Sequence, residues 1–172
     1  MNGIVIYSSR YGATGLYAKW IGMAMKIPVK KVSEIQAGEL ASYNFIVLGS
    51  PIYMGKILLK DWLIENSNLL KQKKLLFFIV GAAAATEKEK TEQYFTDNIP
   101  DQLLSAGNHF YLQGKMIFKE LSFTDKVFLK MGAWLAKTEQ DKKTMLTDFS
   151  AVKEVNLSAL LQAAGGLPKA TC

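Results

Sequence analysis

Two serines, a glycine and a threonine crowd one turn near the start of this 172-residue chain: Ser8, Ser9, Gly12 and Thr14 within IVIYSSRYGATGLYAKW, residues 4–20. Small hydroxyls beside the free backbone N–H groups of a helix start are the chemistry that cradles a phosphate. Ala13 and Thr14 open the helical pattern, Tyr11 places a phenol in the same turn, and Arg10 supplies a cation for a charge-assisted contact. An ordinary glycine-containing turn with a serine cap would use the same residue types. The phosphate loop G-x-x-x-x-G-K-[ST] and the dinucleotide fingerprint G-x-G-x-x-G are both absent here. An acidic cluster of the kind a phosphorylation receiver needs is also missing, because the flanking apolar runs end in Ser8-Ser9 and Gly49-Ser50-Pro51.

Two further loops offer walls for a flat ring. SPIYMGK carries Pro51, Ile52, the aromatic Tyr53 and a flexible Met54-Gly55 peptide, and GAAAAT brings Gly81, Ala82, Ala83 and Ala84 with small side chains and free backbone donors. A phosphate cradle followed by two walls suits FMN better than a bare phosphate, with the cofactor carrying the electron chemistry and no catalytic side chain required. The single histidine, His109, lies in a strand-like segment and reads as structural. With Cys172 the only cysteine and no clustered carboxylates, no metal site is expected.

These loops need elements to hold them. Apolar runs at 3–8, 28–33, 44–51, 73–82 and 108–114 alternate with helical patterns at 13–26, 57–66, 86–99 and 148–164. In the first helix Leu16, Trp20 and Met23 share one face, and Tyr94 and Phe95 face inward in the third. Central strands apolar on both faces imply a parallel sheet covered on both sides. The expectation is a three-layer α/β/α fold of the flavodoxin-like kind, one domain over residues 1–172, with a five-stranded parallel sheet of order 2-1-3-4-5. Its ligand site falls at the carboxyl ends of the strands, near the switch point between strands 1 and 3. Residues 114–147 exceed an ordinary loop and read as an insertion near strand 5 with its own helical pattern.

Charge narrows the class. The chain carries a net +6 with one arginine among its 21 basic residues, and shows no nucleic-acid recognition motif, so nucleic acid is not an expected partner. In the insertion Lys126, Lys130 and Lys137 fall within about 40° of one another on a helical wheel, and Val127, Met131, Trp134 and Leu135 form a second stripe. Such a helix either lies on an anionic membrane, through residues 125–137, or packs its apolar side on the domain itself. Residues 75–85, the longest uncharged apolar run, fall short of the roughly 20 needed to span a bilayer. The chain starts directly in a strand-like segment and its only cysteine is its last residue, so a cytoplasmic protein is expected, with peripheral contact to the inner face of the membrane as a variant.

YSSRYGAT resembles the phosphate signature of the flavodoxins, an aromatic and a small or hydroxyl residue followed by [ST]-x-x-G-x-T, and YNFIVLGSPIYMGKI resembles their second flavin loop. The spacing Ser8-x-Arg10-x-Gly12-x-Thr14 and the long insertion are similar to the menaquinone-dependent protoporphyrinogen oxidases. The resemblance implies that Ser9, Gly12 and Thr14, with the backbone of residues 10–14, bind the FMN phosphate. It also implies that Ile52 to Gly55 line one side of the isoalloxazine and Gly81 to Ala84 the other. Met54-Gly55 matches a turn whose peptide reorients on flavin reduction, but Lys56 stands where an acid is usual, which implies a raised potential. A quinone or redox-protein partner follows from the same resemblance, as does an anionic porphyrinogen substrate. The favoured reading is a quinone-linked FMN oxidoreductase, ahead of a soluble electron carrier and of a flavin-free interaction module.

Overall fold

The computed structural model describes residues 2–36, 38–82, 87–136 and 138–165. In chain order the elements begin with β1 (Gly3–Tyr7), α1 (Ala13–Met25), β2 (Val29–Lys31), β3 (Phe45–Tyr53), β4 (Lys56–Ile57), α2 (Lys60–Glu65), α3 (Ser67–Leu70) and β5 (Lys74–Gly81). They continue with α4 (Lys88–Asn98), α5 (Asp101–Leu104), β6 (Gly107–Gln113), β7 (Lys115–Met116), α6 (Phe123–Leu135), α7 (Glu139–Leu146), β8 (Phe149–Ser150) and α8 (Ser158–Gly165). Five parallel strands lie in the order β2-β1-β3-β5-β6, and β4 folds back antiparallel on the end of β3. With that short hairpin strand set aside, this is the expected order 2-1-3-4-5 in a flavodoxin-like α/β fold.

The sheet is apolar on both faces because successive strand residues point to opposite sides. Ile4, Ile6, Ile46, Leu48, Leu75, Phe77 and Ile79 pack on one face with Leu63, Leu70, Phe95 and Leu103 from α2, α3, α4 and α5. Val5, Tyr7, Val47, Leu76, Phe78 and Val80 pack on the other with Tyr17, Ala18 and Ile21 of α1 and Leu160 of α8. The register Ile4↔Ile46 and Val5↔Val47 keeps each set on its own side along the β1–β3 pair.

Three expectations change. α1 buries Tyr17, Ala18 and Ile21, while Leu16 and Met23 of the anticipated face are exposed and Trp20 is half-buried. Helix α1 settles so close to β2 that a Cβ on Gly22 would stand 2.1 Å from Val29 Cγ2, and that close approach sets which stripe faces inward. The anticipated helix over 57–66 begins only at Lys60, since Ile57 pairs with Ile52 in the hairpin. The closing helix begins at Ser158 rather than 148, because Phe149 and Ser150 pair with Met116 and Lys115 instead.

That β7–β8 pair gathers both ends of the insertion to one point, and Phe118 N–H donates to Asp148 Oδ1 at 2.7 Å beside it. Between them α6 and α7 pack against each other outside the sheet layers. Along α6, Val127, Met131, Trp134 and Leu135 of the apolar stripe are exposed, as are Phe123 and Phe128. Among the described residues no helix is long and apolar enough to cross a membrane.

Candidate functional site

Beyond the carboxyl ends of β1, β3 and β5 lies a cavity of about 430 Å³, within the range of small-molecule sites. Each of the three loops reaches it. Arg10, Tyr11, Ala13 and Thr14 come from the first, Pro51, Ile52, Tyr53 and Met54 from the second, and Gly81 and Ala82 from the third. Ala83 and Ala84 lie outside the described residues. Ser9 and Gly12 do not line this cavity. They border an adjoining groove with Lys19 and Lys31, on the other side of the same turn. Gly55 sits on the hairpin turn beside the cavity wall, and Lys56 is exposed and is not part of that wall.

The first turn is shaped for an anion. Gly12 sits at φ +84°, the left-handed region where a Cβ is costly, and its N–H donates to Ser9 Oγ at 3.2 Å. Helix α1 then starts with no side chain capping it and no acid in its first turn. Its leading N–H groups and the positive end of its dipole are therefore open to a ligand. Thr14, 1% exposed, supplies a hydroxyl in that same turn.

The second loop is a two-residue hairpin with positive φ at both turn positions, Met54 at 51° and Gly55 at 79°, as the tight primed turns require. Buried Asn98 on α4 fastens it. Its Oδ1 accepts from Ile57 N–H at 3.1 Å, and its Nδ2 donates to Gly55 O at 3.0 Å. The Met54–Gly55 peptide itself takes no part in these bonds, which hold its neighbours.

The insertion adds further sides to the cavity. Gly114, Lys115 and Met116 line its base, and Leu121, Asp125, Phe128 and Leu129 form its outer wall. Asp125 is buried at 6% exposure and gathers donors from two of the three loops. Arg10 reaches it through Nε at 3.1 Å and Nη2 at 3.0 Å, Tyr53 through its hydroxyl at 2.5 Å, and Tyr11 through its hydroxyl. The Arg10 guanidinium also stands 4.0 Å over the Tyr53 ring. Burial alone would raise the Asp125 carboxyl, but hydrogen bonds from Tyr11, Tyr53 and Arg10 outweigh it and hold the group down to about 2. The same carboxylate pushes the Tyr53 phenol up. Lys115 pairs with Glu120 at 2.8 Å.

Asp125 and the rest of this outer wall were not anticipated from the sequence. The pattern Ser122-x-x-Asp125 is legible as a helix start, and Ser122 Oγ does accept from Asp125 N–H at 3.2 Å. That role accounts for an acid at the position without hinting at Arg10, 115 residues away in sequence. His109 packs between Phe77 and Phe95 away from the cavity, with its ring centroid 5.5 and 5.2 Å from theirs, and burial pushes its pKa down. Among the described residues no group of His, Cys, Asp or Glu is arranged to hold a metal.

FMN fits these residues. An uncapped helix start with Ser9, Gly12 and Thr14 would hold its phosphate, and the hairpin and third loop would flank its ring. A flavodoxin, WrbA-like protein from Agrobacterium tumefaciens is 20% identical, with a TM-score of 0.51 over 73% of this chain and 87% of that one. A flavoprotein from Lactobacillus acidophilus NCFM, solved in complex with FMN, is 17% identical, with a TM-score of 0.47 over 65% of this chain and 91% of that one. No curated protein matches the chain. The sequence model of the flavodoxin domain matches residues 4–143, and the chain belongs to the flavodoxin domain family.

Proposed function

We propose that the chain is an FMN-dependent oxidoreductase that exchanges electrons with a small, membrane-borne quinone, similar to the protoporphyrinogen oxidases of the flavodoxin type. The observation that carries this reading is the outer wall: Leu121, Phe128 and Leu129 of the insertion line one side of the cofactor cavity with apolar side chains. A carrier that docks on another protein needs a flavin edge free of insertions, whereas an apolar wall beside the ring suits a small planar partner. FMN bound there supplies one- and two-electron chemistry. The chain's part is to hold, orient and exclude water. Among the described residues no histidine lines the cavity, and the one carboxylate there is ionised and occupied by three side chains, so these residues offer no free base.

Titration of the apoprotein with FMN and with riboflavin tests the cofactor. FMN should bind at least tenfold more tightly, since about 1.4 kcal/mol of phosphate contact suffices for that ratio. Reoxidation of the reduced holoprotein then separates the activities. A water-soluble menaquinone analogue should outpace cytochrome c, and the reverse order would favour the carrier.

The outward side of α6 supports the membrane part. Phe123 is 81% and Trp134 80% exposed, and Lys126 and Lys130 edge the same apolar stripe, the arrangement of a helix that lies in a lipid interface. Sedimentation with vesicles tests it. The protein should pellet with phosphatidylglycerol-containing vesicles and not with phosphatidylcholine alone, and Trp134→Ser should weaken the binding.

A further inference from the structure

The cluster around Asp125 ties three chain segments together that are distant in sequence. Arg10 and Tyr11 belong to the turn after β1, Tyr53 to the last position of β3 where its hairpin begins, and Asp125 to the first turn of α6. Ser122 strengthens the junction, because its N–H donates to the Tyr11 hydroxyl at 3.2 Å while its side chain caps Asp125. Elsewhere the insertion is anchored to the domain at its base, where β7 meets β8. The carboxylate thus fastens the start of α6, a second tie beside the two-residue ladder at the base of the insertion. Its partners line the cavity, and α6 itself supplies another side. A buried carboxylate with three donors is a strong tie, and losing one partner leaves charge without compensation.

We propose that Asp125 is a positioning residue that fastens α6 against one side of the cofactor cavity, so that FMN enters and leaves faster when this junction opens. The inference rests on the FMN reading. It differs from an ordinary binding contact in its kinetics. A residue that merely holds the ligand slows departure alone, whereas a fastened wall slows arrival and departure together.

The test measures FMN association and dissociation by stopped-flow fluorescence in the wild type, Asp125→Asn and Tyr53→Phe, with circular dichroism to show that each is folded. Asp125→Asn should raise both rate constants at least tenfold, with the dissociation constant moving less than either. Tyr53→Phe removes one donor without stranding a charge and should raise both about threefold, which keeps the inference testable if Asp125→Asn does not fold. A rise in dissociation alone, or no change in either rate, overturns it. The apoprotein supplies an independent readout. Trypsin cleavage at Lys126 and Lys130 requires α6 to loosen, and should run at least tenfold faster in Asp125→Asn. If the wild type takes up no FMN, the cofactor reading fails by itself. The trypsin rates still decide the fastening, with equal rates in the two proteins overturning it.

Discussion

Asp125 and His109 both tie stability to pH, and in the same direction. The folded Asp125 carboxyl titrates at about 2 against an ordinary 3.8, so its stabilisation is complete above pH 4 and is lost as pH falls toward 2. His109 is held below its ordinary pKa by burial, so the unfolded chain takes up its proton first, and stability drops as pH falls below about 6.5. Urea midpoints at pH 7.5, 5 and 3 should therefore decline in two stages. His109→Phe should flatten the upper stage and Asp125→Asn the lower. Asn98 governs the hairpin that carries Tyr53 and Met54, and its truncation strands the buried Ile57 N–H. Asn98→Ala should lower unfolding free energy by about 1–3 kcal/mol and weaken FMN uptake, as urea denaturation and flavin titration would show.

The strands were legible in the sequence because their apolar runs are self-sufficient. Ile4 and Ile6 serve one face and Val5 and Tyr7 the other, and no partner needs to be known for that alternation to specify a doubly covered strand. The loops at their ends followed from the topology. Facing and pairing were less legible. α1 carries two apolar stripes, so its periodicity declares a helix without choosing between Leu16–Trp20–Met23 and Tyr17–Ala18–Ile21, a choice made by the contact of Gly22 with Val29. Phe149 and Ser150 fit a helical pattern until the distant Lys115 and Met116 claim them. Asp125 escaped notice for the same reason, as its partners are non-local. The α1 contact gives a direct check: Gly22→Ala forces α1 away from β2 and should cost about 1–3 kcal/mol, read from thermal unfolding.

Seen as a whole, the molecule presents α6 with two different sides, a carboxylate turned to the cavity and an apolar, lysine-edged stripe turned out. Electrostatic attraction between exposed lysines and an anionic surface is screened with a Debye length of about 8 Å at physiological ionic strength and about 3 Å at 1 M. Vesicle binding should accordingly fall steeply with added salt, while FMN affinity, set by close contacts within a cavity, changes less; parallel sedimentation and titration at rising salt would compare them. The net +6 is carried almost wholly by lysine, and the single arginine is the one bound to Asp125. That singularity makes the cavity chemically addressable. Phenylglyoxal, which attacks guanidinium groups, can label this chain at one arginine, so a mass shift counts one position without any engineered reporter. With its side chain 34% exposed and paired to a carboxylate, Arg10 should react slowly in the wild type and faster in Asp125→Asn, which would let a covalent tag time the breathing of a non-covalent wall.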